Sequence, residues 1–414
     1  MNPEREVIVI GAGIVGVCCA LYLQRDGWSV RLIDPQGPGR GASYGNAGNL
    51  GIASCVPAAL PGVLKKVPRM LFSSEAPLKL RWGHVPAAAG WFLSFVGNAR
   101  RERIEAIADA RQALLGRLHD GYAPLLEEAG AEDLIDYSGL LMTWESVAAF
   151  EGAAYALDIR RRRGVPFDVL DGNEARQIEP ALNPAVTRAI HVPRLAHTIN
   201  PLRLTETLAR HFENRGGRIV REKATGFEFG PAGPTAVTTD AGKHTAARFV
   251  IAAGVWSRPL AAALGTRVPL EAERGYHNMF PNPGINLRVA LMSADRHIAV
   301  TPMEEGVRAS GVAEFAAPDA PPDMRYAAMV RRQAKGYLPA LDIGGAREWM
   351  GPRPSHPDSL PALGFAPRHR NVVFAFGHDH IGLALGGITG RIVGDLMAGR
   401  DPGVDLRPYD PARF

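Results

Sequence analysis

Cysteine is scarce: Cys18, Cys19 and Cys55 are the only three in 414 residues. That number builds no disulfide framework, and two of the three are neighbours in a stretch that reads as a buried helix. A reducing, cytoplasmic setting is therefore the default expectation. No Cys/His spacing has the form of a metal site. No apolar run approaches the roughly 20 residues needed to span a bilayer. A first strand expected from about Glu6 leaves no room for a secretory leader. An excess of one charge is also missing, since 47 Lys and Arg against 42 Asp and Glu give a net charge of +5. The excess is small and forms no tract, which argues against a nucleic-acid partner. The densest basic cluster, residues 160–163 (RRRR), reads as the solvated C-terminal end of a helix. The apolar stretch 86–96 (PAAAGWFLSFV), followed by Arg100, Arg101 and Arg103, has two readings. One is core packing; the other is a peripheral foot on the inner membrane surface.

Glycine and proline, by contrast, are plentiful, at 46 and 33 residues, and lie among apolar runs, as suits tight turns and close backbone–ligand approaches. The length asks for two or three domain-sized units. The most informative segment is VIVIGAGIVG, a short β-branched run entering Gly11, Gly13 and Gly16 in the pattern G-x-G-x-x-G. The first glycine permits the tight turn, the second lets backbone approach a pyrophosphate, and the third lets helix and strand pack closely. The helix start at Ile14 and Val15 then offers free N–H groups to phosphate. Asp34 follows at the end of the next expected strand, where a carboxylate accepts from ribose hydroxyls. Residues 35–85 are rich in Gly, Pro, Ser and Asn and read as a long functional loop region. Within it, residues 41–48 (GASYGNAG) are small enough to lie against a cofactor. Helices are expected over 88–130, 146–163, 201–215, 322–337 and 387–398. Strands are expected over 164–170, 218–221, 224–229, 236–239, 248–253 and 371–376, with short β-type runs over 268–312. The run FAFGHDHIGLALGGITG carries five glycines, at 377, 382, 386, 387 and 390, and enters the last helix. Backbone N–H groups at such a start suit an anionic edge of a flavin.

Taken together, GAGIVG, GASYGNAGNLG, PLKLRW, RGYH, GPRPSHPDSLPALG and GHDHIGLALGGITG, spread along the chain, resemble the D-amino-acid oxidase superfamily. The resemblance is strongest to its bacterial D-amino-acid dehydrogenase branch. It implies FAD as cofactor and an α/β fold: a Rossmann-like FAD-binding domain with a second, α+β substrate domain on a larger mixed or antiparallel sheet. The FAD domain is expected from residues 1–85, 201–265 and 351–414, and the substrate domain from 86–200 and 266–350. Expected cofactor contacts are Gly11, Gly13, Ile14, Val15, Gly16, Asp34, Ala42, Ser43, Asn46, Ala47, Gly48, Leu50, Ala253, Gly254, His380, Gly382, Leu383, Gly386, Gly387 and Thr389.

In the family, the Arg of the G-x-R-P segment pairs with the substrate carboxylate; here that is Arg353, stiffened by Pro352 and Pro354. A guanidinium is also the fork that matches a carboxylate, and a structural salt bridge is the competing reading. Tyr276 has two readings, a hydroxyl over the substrate or a ring packed on a strand. His277 and His378 are expected to sense or relay protons near the site. Where relatives carry Thr-Pro-Asp-Gly-x-Pro, this chain has His356-Pro357-Asp358-Ser359-Leu360-Pro361, which places His356 near the substrate mouth. The implied reaction is hydride transfer from Cα of a D-amino acid to flavin N5. Segments shared with D-proline and cis-4-hydroxy-D-proline dehydrogenases bring in cyclic substrates. The electron acceptor is read as a quinone or a partner redox protein. Three alternatives stand beside this: an oxygen-using oxidase, an enzyme for glycine, sarcosine or L-amino acids, and a non-catalytic flavoprotein subunit.

Overall fold

The computed structural model describes residues 5–62 and 75–414; residues 63–74 of the expected long loop lie outside them. Near the N-terminus Glu6–Ile10 forms a strand buried from Val7 onward, because its apolar side chains are covered on both sheet faces. It is the centre of a six-stranded sheet. Ser29–Ile33 and then Arg218–Val220 lie to one side of it, Arg248–Ile251 and then His369–Phe376 to the other, all parallel. Ala362–Ala366 closes the far edge antiparallel. Parallel strands need crossovers, and here one of them is the cofactor helix Ile14–Arg25, nine of whose residues are buried.

The second layer is a nine-stranded mixed sheet. Its strands run in the order Arg347–Ser355, Glu271–Phe280, Gly306–Phe315, Ile298–Met303, Ala290–Ser293, Leu140–Trp144, Arg188–Val192 and Asp168–Asp171, with Leu78–Leu80 paired to Gly306–Phe315. Helix Arg325–Tyr337 covers one face of it with an apolar cluster that includes Tyr276, Phe280, Val300 and Val330. The FAD-binding α/β unit and a larger mixed-sheet unit are the architecture the sequence led us to expect.

Three expectations need correction, while the helical reading of 88–130 holds and gains detail. The boundary expected at 350/351 falls inside the strand Arg347–Ser355, which pairs along its length with Glu271–Phe280 and belongs to the large sheet. Residues 88–130 are three helices, Val85–Gly97, Arg101–Leu115 and Leu118–Ala129. The last of these packs on the C-terminal helix Gly382–Met397 of the nucleotide unit, because Gly121 lets the two backbones touch. The 160–163 cluster is not simply solvated. Arg160 donates to the Ala53 carbonyl at 3.0 Å, and the half-buried Arg163 meets Glu105 and Asp109 at 2.9 Å. Finally, the C-terminal helix begins at Gly382, five residues before the expected start at 387.

That earlier start changes the meaning of the glycine run. A Cβ on Gly390 would lie 2.6 Å from the Cys18 backbone of the cofactor helix, and one on Gly387 2.6 Å from the Gly121 backbone. One on Gly386 would sit 2.7 Å from the Tyr122 hydroxyl. Gly387 and Gly390 thus let two helices cross the C-terminal helix at backbone contact, and Gly386 leaves room for the Tyr122, Ile14 and Cys18 side chains of the same two helices.

Candidate active site

Between the two sheets lies a cavity of about 1000 Å³, at the upper end of the roughly 300–1,000 Å³ typical of ligand sites. At its nucleotide end the chain turns from strand to helix at Gly11, whose φ is +104° and whose missing Cβ leaves room for the Ala252 carbonyl. A Cβ on Gly16 would strike the Gly11 carbonyl at 1.9 Å, so the third glycine serves packing alone. Gly13 differs. A Cβ there would meet only the Ser43 hydroxyl, at 3.3 Å, and Gly13 brings no capping side chain of its own to the helix start. A helix start that faces an open cavity, with a loop hydroxyl on the Ile14 N–H alone, fits an anionic pyrophosphate. Asp34 lines the cavity too, while accepting from the backbone N–H of Ala12 (2.9 Å), Gln36 (2.8 Å) and Gly37 (3.0 Å). Those bonds fix the carboxylate at the mouth of the turn.

The loop after the second strand is held by two devices. Ser43 accepts from the Ile14 N–H at 3.0 Å, and Arg308 donates to the carbonyls of Tyr44 (2.8 Å) and Asn46 (2.7 Å). Arg308 is buried, and that burial lowers its pKa to about 10. Nothing in the sequence singled it out, because a lone Arg in a strand gives no sign of the loop it reaches. Asn46 in turn accepts from the Gly48 N–H at 2.9 Å.

Of the expected cofactor contacts, Gly11, Gly13, Ile14, Val15, Asp34, Ala42, Ser43, Asn46, Ala47, Ala253, Gly254, His380, Gly382 and Leu383 line the cavity. Gly16, Gly48, Leu50, Gly386, Gly387 and Thr389 stand behind the wall, where they shape it. Gly48 has φ +84° against the Thr198 carbonyl, and the Thr389 hydroxyl pairs with the His378 ring at 3.0 Å.

At the opposite end Arg353 lies on the cavity wall, its Nη1 donating to Glu273 Oε1 at 2.7 Å and to the Val312 carbonyl at 3.0 Å. Arg353 and Glu273 are direct partners across neighbouring strands. The guanidinium crosses Gly275, where a Cβ would come within 2.2 Å of Nη2. Val312 holds φ +64°, unusual for a β-branched residue, at a register shift in its strand pairing. The shift accompanies the carbonyl that meets Arg353.

Strand alternation then separates the other expected catalytic residues. Tyr276 turns its hydroxyl to the far face, donating to Glu314 Oε2 at 2.6 Å and accepting from the Asp323 N–H at 3.1 Å. Tyr276 borders the cavity, but its hydroxyl is taken by Glu314 and the Asp323 N–H and its ring packs in the cluster under helix Arg325–Tyr337, as the second of its two readings had it. His277 does not line the cavity. It stacks on Trp349 with ring centroids 5.0 Å apart, and burial and Arg308 hold its pKa down at about 3. His356, expected near the mouth, is buried against Gly377 and Phe414, with Nδ1 on the Leu360 carbonyl at 2.8 Å. His378 does line the cavity, but burial lowers it to about 3, a neutral imidazole.

Between Arg353 and the C-terminal helix runs a polar chain that sequence reading missed. Ser355 Oγ lies 3.2 Å from Glu273 Oε2 and 3.0 Å from Asp379 Oδ1. Asp379, buried with φ +53°, sits 3.2 Å from His380 Nδ1 and 3.8 Å from Arg111 Nη1. Despite a burial penalty, the His380 ring and the Arg111 guanidinium hold its carboxyl far below the usual range.

A glycine turn open to pyrophosphate, a cavity leading from it, and an Arg–Glu pair at the cavity's end define the class: an enzyme that sets a dinucleotide cofactor against a small charged ligand. Comparison with known proteins names it more narrowly. The family model described as FAD dependent oxidoreductase matches residues 6–396, and the chain belongs to that family. It is 38% identical to a D-amino-acid oxidase of Bradyrhizobium diazoefficiens, with 100% of both chains covered. It is 30% identical to a D-amino acid dehydrogenase of Allorhizobium ampelinum, over 99% of this chain and 98% of the relative. Among solved structures, glycine oxidase from Geobacillus kaustophilus has the same fold, with a TM-score of 0.75 at 21% identity and 99% of both chains covered. FAD is the cofactor, and the protein is an oxidoreductase.

Proposed function

We propose that the protein oxidises D-amino acids at Cα, releasing an imino acid that hydrolyses to a 2-oxo acid or, from a ring substrate, remains a cyclic imine. One observation carries the reading: Arg353 and Glu273 stand 2.7 Å apart on the cavity wall. An α-amino acid presents a carboxylate and an ammonium on one carbon, and an adjacent cation and anion are the mirror of that pattern. The guanidinium anchors the carboxylate through its remaining donors, which turns Cα toward the cofactor end of the cavity. When bound, FAD supplies the two-electron acceptor. Gly13, Ile14, Ser43, Asn46 and the start of helix Gly382–Met397 are the residues that would hold it. Positioning accounts for much of the barrier reduction, and the named relatives support the D enantiomer.

D-proline and cis-4-hydroxy-D-proline belong to this reading as ring substrates. Met142 and Met292, adaptable side chains on the cavity wall, can pack against a ring. The test is anaerobic mixing of holoenzyme with D- and L-amino acids while the flavin band at about 450 nm is followed. Bleaching by D-substrates alone supports the proposal. Bleaching by L-amino acids or glycine overturns it, and no bleaching by any amino acid points to a subunit of a larger electron-transfer complex. Peroxide release in air supports oxygen as acceptor, a second reading favoured by the oxidase relative. Its absence, with dye-dependent turnover, supports a quinone or partner redox protein.

Helix Val85–Gly97 buries only Ala88 and Trp91, leaving Leu93 76% exposed, with Trp82 66% exposed just before it. No helix among the described residues is long and apolar enough to cross a membrane. With Arg100, Arg101 and Arg103 exposed beside it, we read this face as a peripheral contact with anionic lipid. Co-sedimentation with vesicles containing phosphatidylglycerol is the expected outcome, and Leu93→Glu abolishes it.

A further inference from the structure

Amine oxidation at Cα needs a neutral nitrogen, yet an amino acid arrives as an ammonium at pH 7. We infer that Glu273 is the base that removes that proton, with Ser355 and Asp379 as positioning residues that prepare its carboxylate to receive it. The inference rests on the amino-acid reading above.

The geometry around Ser355 carries it. One hydroxyl lies within hydrogen-bond distance of two carboxylates, Glu273 Oε2 at 3.2 Å and Asp379 Oδ1 at 3.0 Å. A hydroxyl has one proton, so it donates to one of them only. Asp379 has the stronger claim, because His380 and Arg111 keep it ionised. The Ser355 proton therefore points to Asp379, and an oxygen lone pair faces Glu273. An ionised Glu273 meets that lone pair without a proton between them. A protonated Glu273 completes the row, donating to Ser355, which donates to Asp379.

Arg353 acts in the opposite sense, since Nη1 at 2.7 Å favours the ionised carboxylate. The arriving substrate weakens that hold, because its carboxylate takes up the guanidinium charge. Anchoring and deprotonation are thus linked: binding at Arg353 frees Glu273 to accept the ammonium proton beside it. The step balances. An N–H bond breaks, its electron pair stays on nitrogen, and an O–H bond forms on Glu273. The nitrogen pair then forms the C=N bond as the Cα–H bond breaks with its electron pair, for which FAD, when bound, would be the two-electron acceptor.

The test is Glu273→Gln in the holoenzyme, which retains the size and polarity of the side chain and removes the base. Anaerobic flavin reduction by the best D-amino acid is measured from pH 6 to pH 10. The wild type should be nearly flat above neutrality. The variant should be slower by about 100-fold at pH 7, within the usual contribution of a general base. It should recover by about tenfold per pH unit toward pH 10, where the substrate supplies its own free amine. Ser355→Ala should give an intermediate profile. In parallel, calorimetry measures binding of the 2-oxo acid, which has the carboxylate and no amine; its affinity should change less than about threefold. A variant profile parallel to wild type, or loss of 2-oxo acid binding, overturns the assignment by showing that Glu273 only orients Arg353. If Glu273→Gln loses its flavin, Glu273→Asp replaces it, and a wild-type pH profile at reduced rate is then expected. Failure of every D-amino acid to reduce the wild type overturns the substrate reading itself. Reduction of the wild type with an unshifted variant overturns only Glu273.

Discussion

Residue by residue, the cavity end is decided by which side of a strand each side chain occupies. Arg353, Glu273 and Gly275 line the cavity, and Tyr276, though part of the same wall, turns its hydroxyl away to Glu314. Arg353→Lys should therefore lower kcat/KM for a D-amino acid by about 100-fold, equivalent to ~3 kcal/mol, because an ammonium cannot reproduce the fork. Steady-state dye reduction measures it. Tyr276→Phe should leave kcat and KM within about twofold. It should destabilise the fold by about 1–3 kcal/mol, since Glu314 and the Asp323 N–H lose a buried partner; urea unfolding separates the two effects. Arg353 was legible because the resemblance points to one Arg in one motif. Glu273 and Tyr276 were not, because a period of two in a strand says which residues share a face and not which face meets the ligand. Arg308 and Arg111 were invisible for another reason: their partners Tyr44, Asn46, Ser54 and Ser359 lie far away in the chain.

At the level of elements, local signals were read well and crossings poorly. The strand Glu6–Ile10, the turn at Gly11 and the helix Ile14–Arg25 follow one another in sequence, so spacing alone located them. Helix Pro201–Asn214 falls within one residue of the expected 201–215, and the Asn200 side chain caps it by accepting from the Arg203 N–H at 3.0 Å. The glycines at 386, 387 and 390 carry no such label, since a glycine that admits a cofactor and one that admits a helix look alike in sequence. Gly390→Ala tests the second role. The added methyl meets backbone on Cys18, which cannot yield as a side chain would. A loss of about 1–3 kcal/mol is expected, read by urea unfolding. The pH profile of flavin reduction in the folded variant should match wild type.

For the whole molecule, acid is the vulnerability. Burial holds His277 and His378 down at about 3 and His356 at about 4, with Arg308 adding to the first and Arg413 to the last. The unfolded chain takes up protons at these residues near pH 6.5, and the folded one does not. Stability is therefore full above pH 6.5 and falls as pH drops toward 4, by up to about 1.4 kcal/mol per histidine per pH unit. Asp379, with its lowered pKa, adds loss only below its ordinary range. Urea midpoints should stay level from pH 7.5 to 6.5 and decline from there to pH 4.5, and His356→Gln should make that decline shallower.

The strand Arg347–Ser355 ends in a backbone bridge from Ser355 to His378, one residue before Asp379 and close to the first turn of the C-terminal helix. The strand that carries the carboxylate anchor and the segment leading into the helix start that faces the cofactor are thus tied directly by a backbone bridge. Met142 and Met292 come to the same cavity from strands at the far side of the large sheet. A protein engineer inherits a useful partition from this. The shape of the accepted side chain can be rewritten at the methionines, while the distance from anchor to cofactor stays as the backbone sets it.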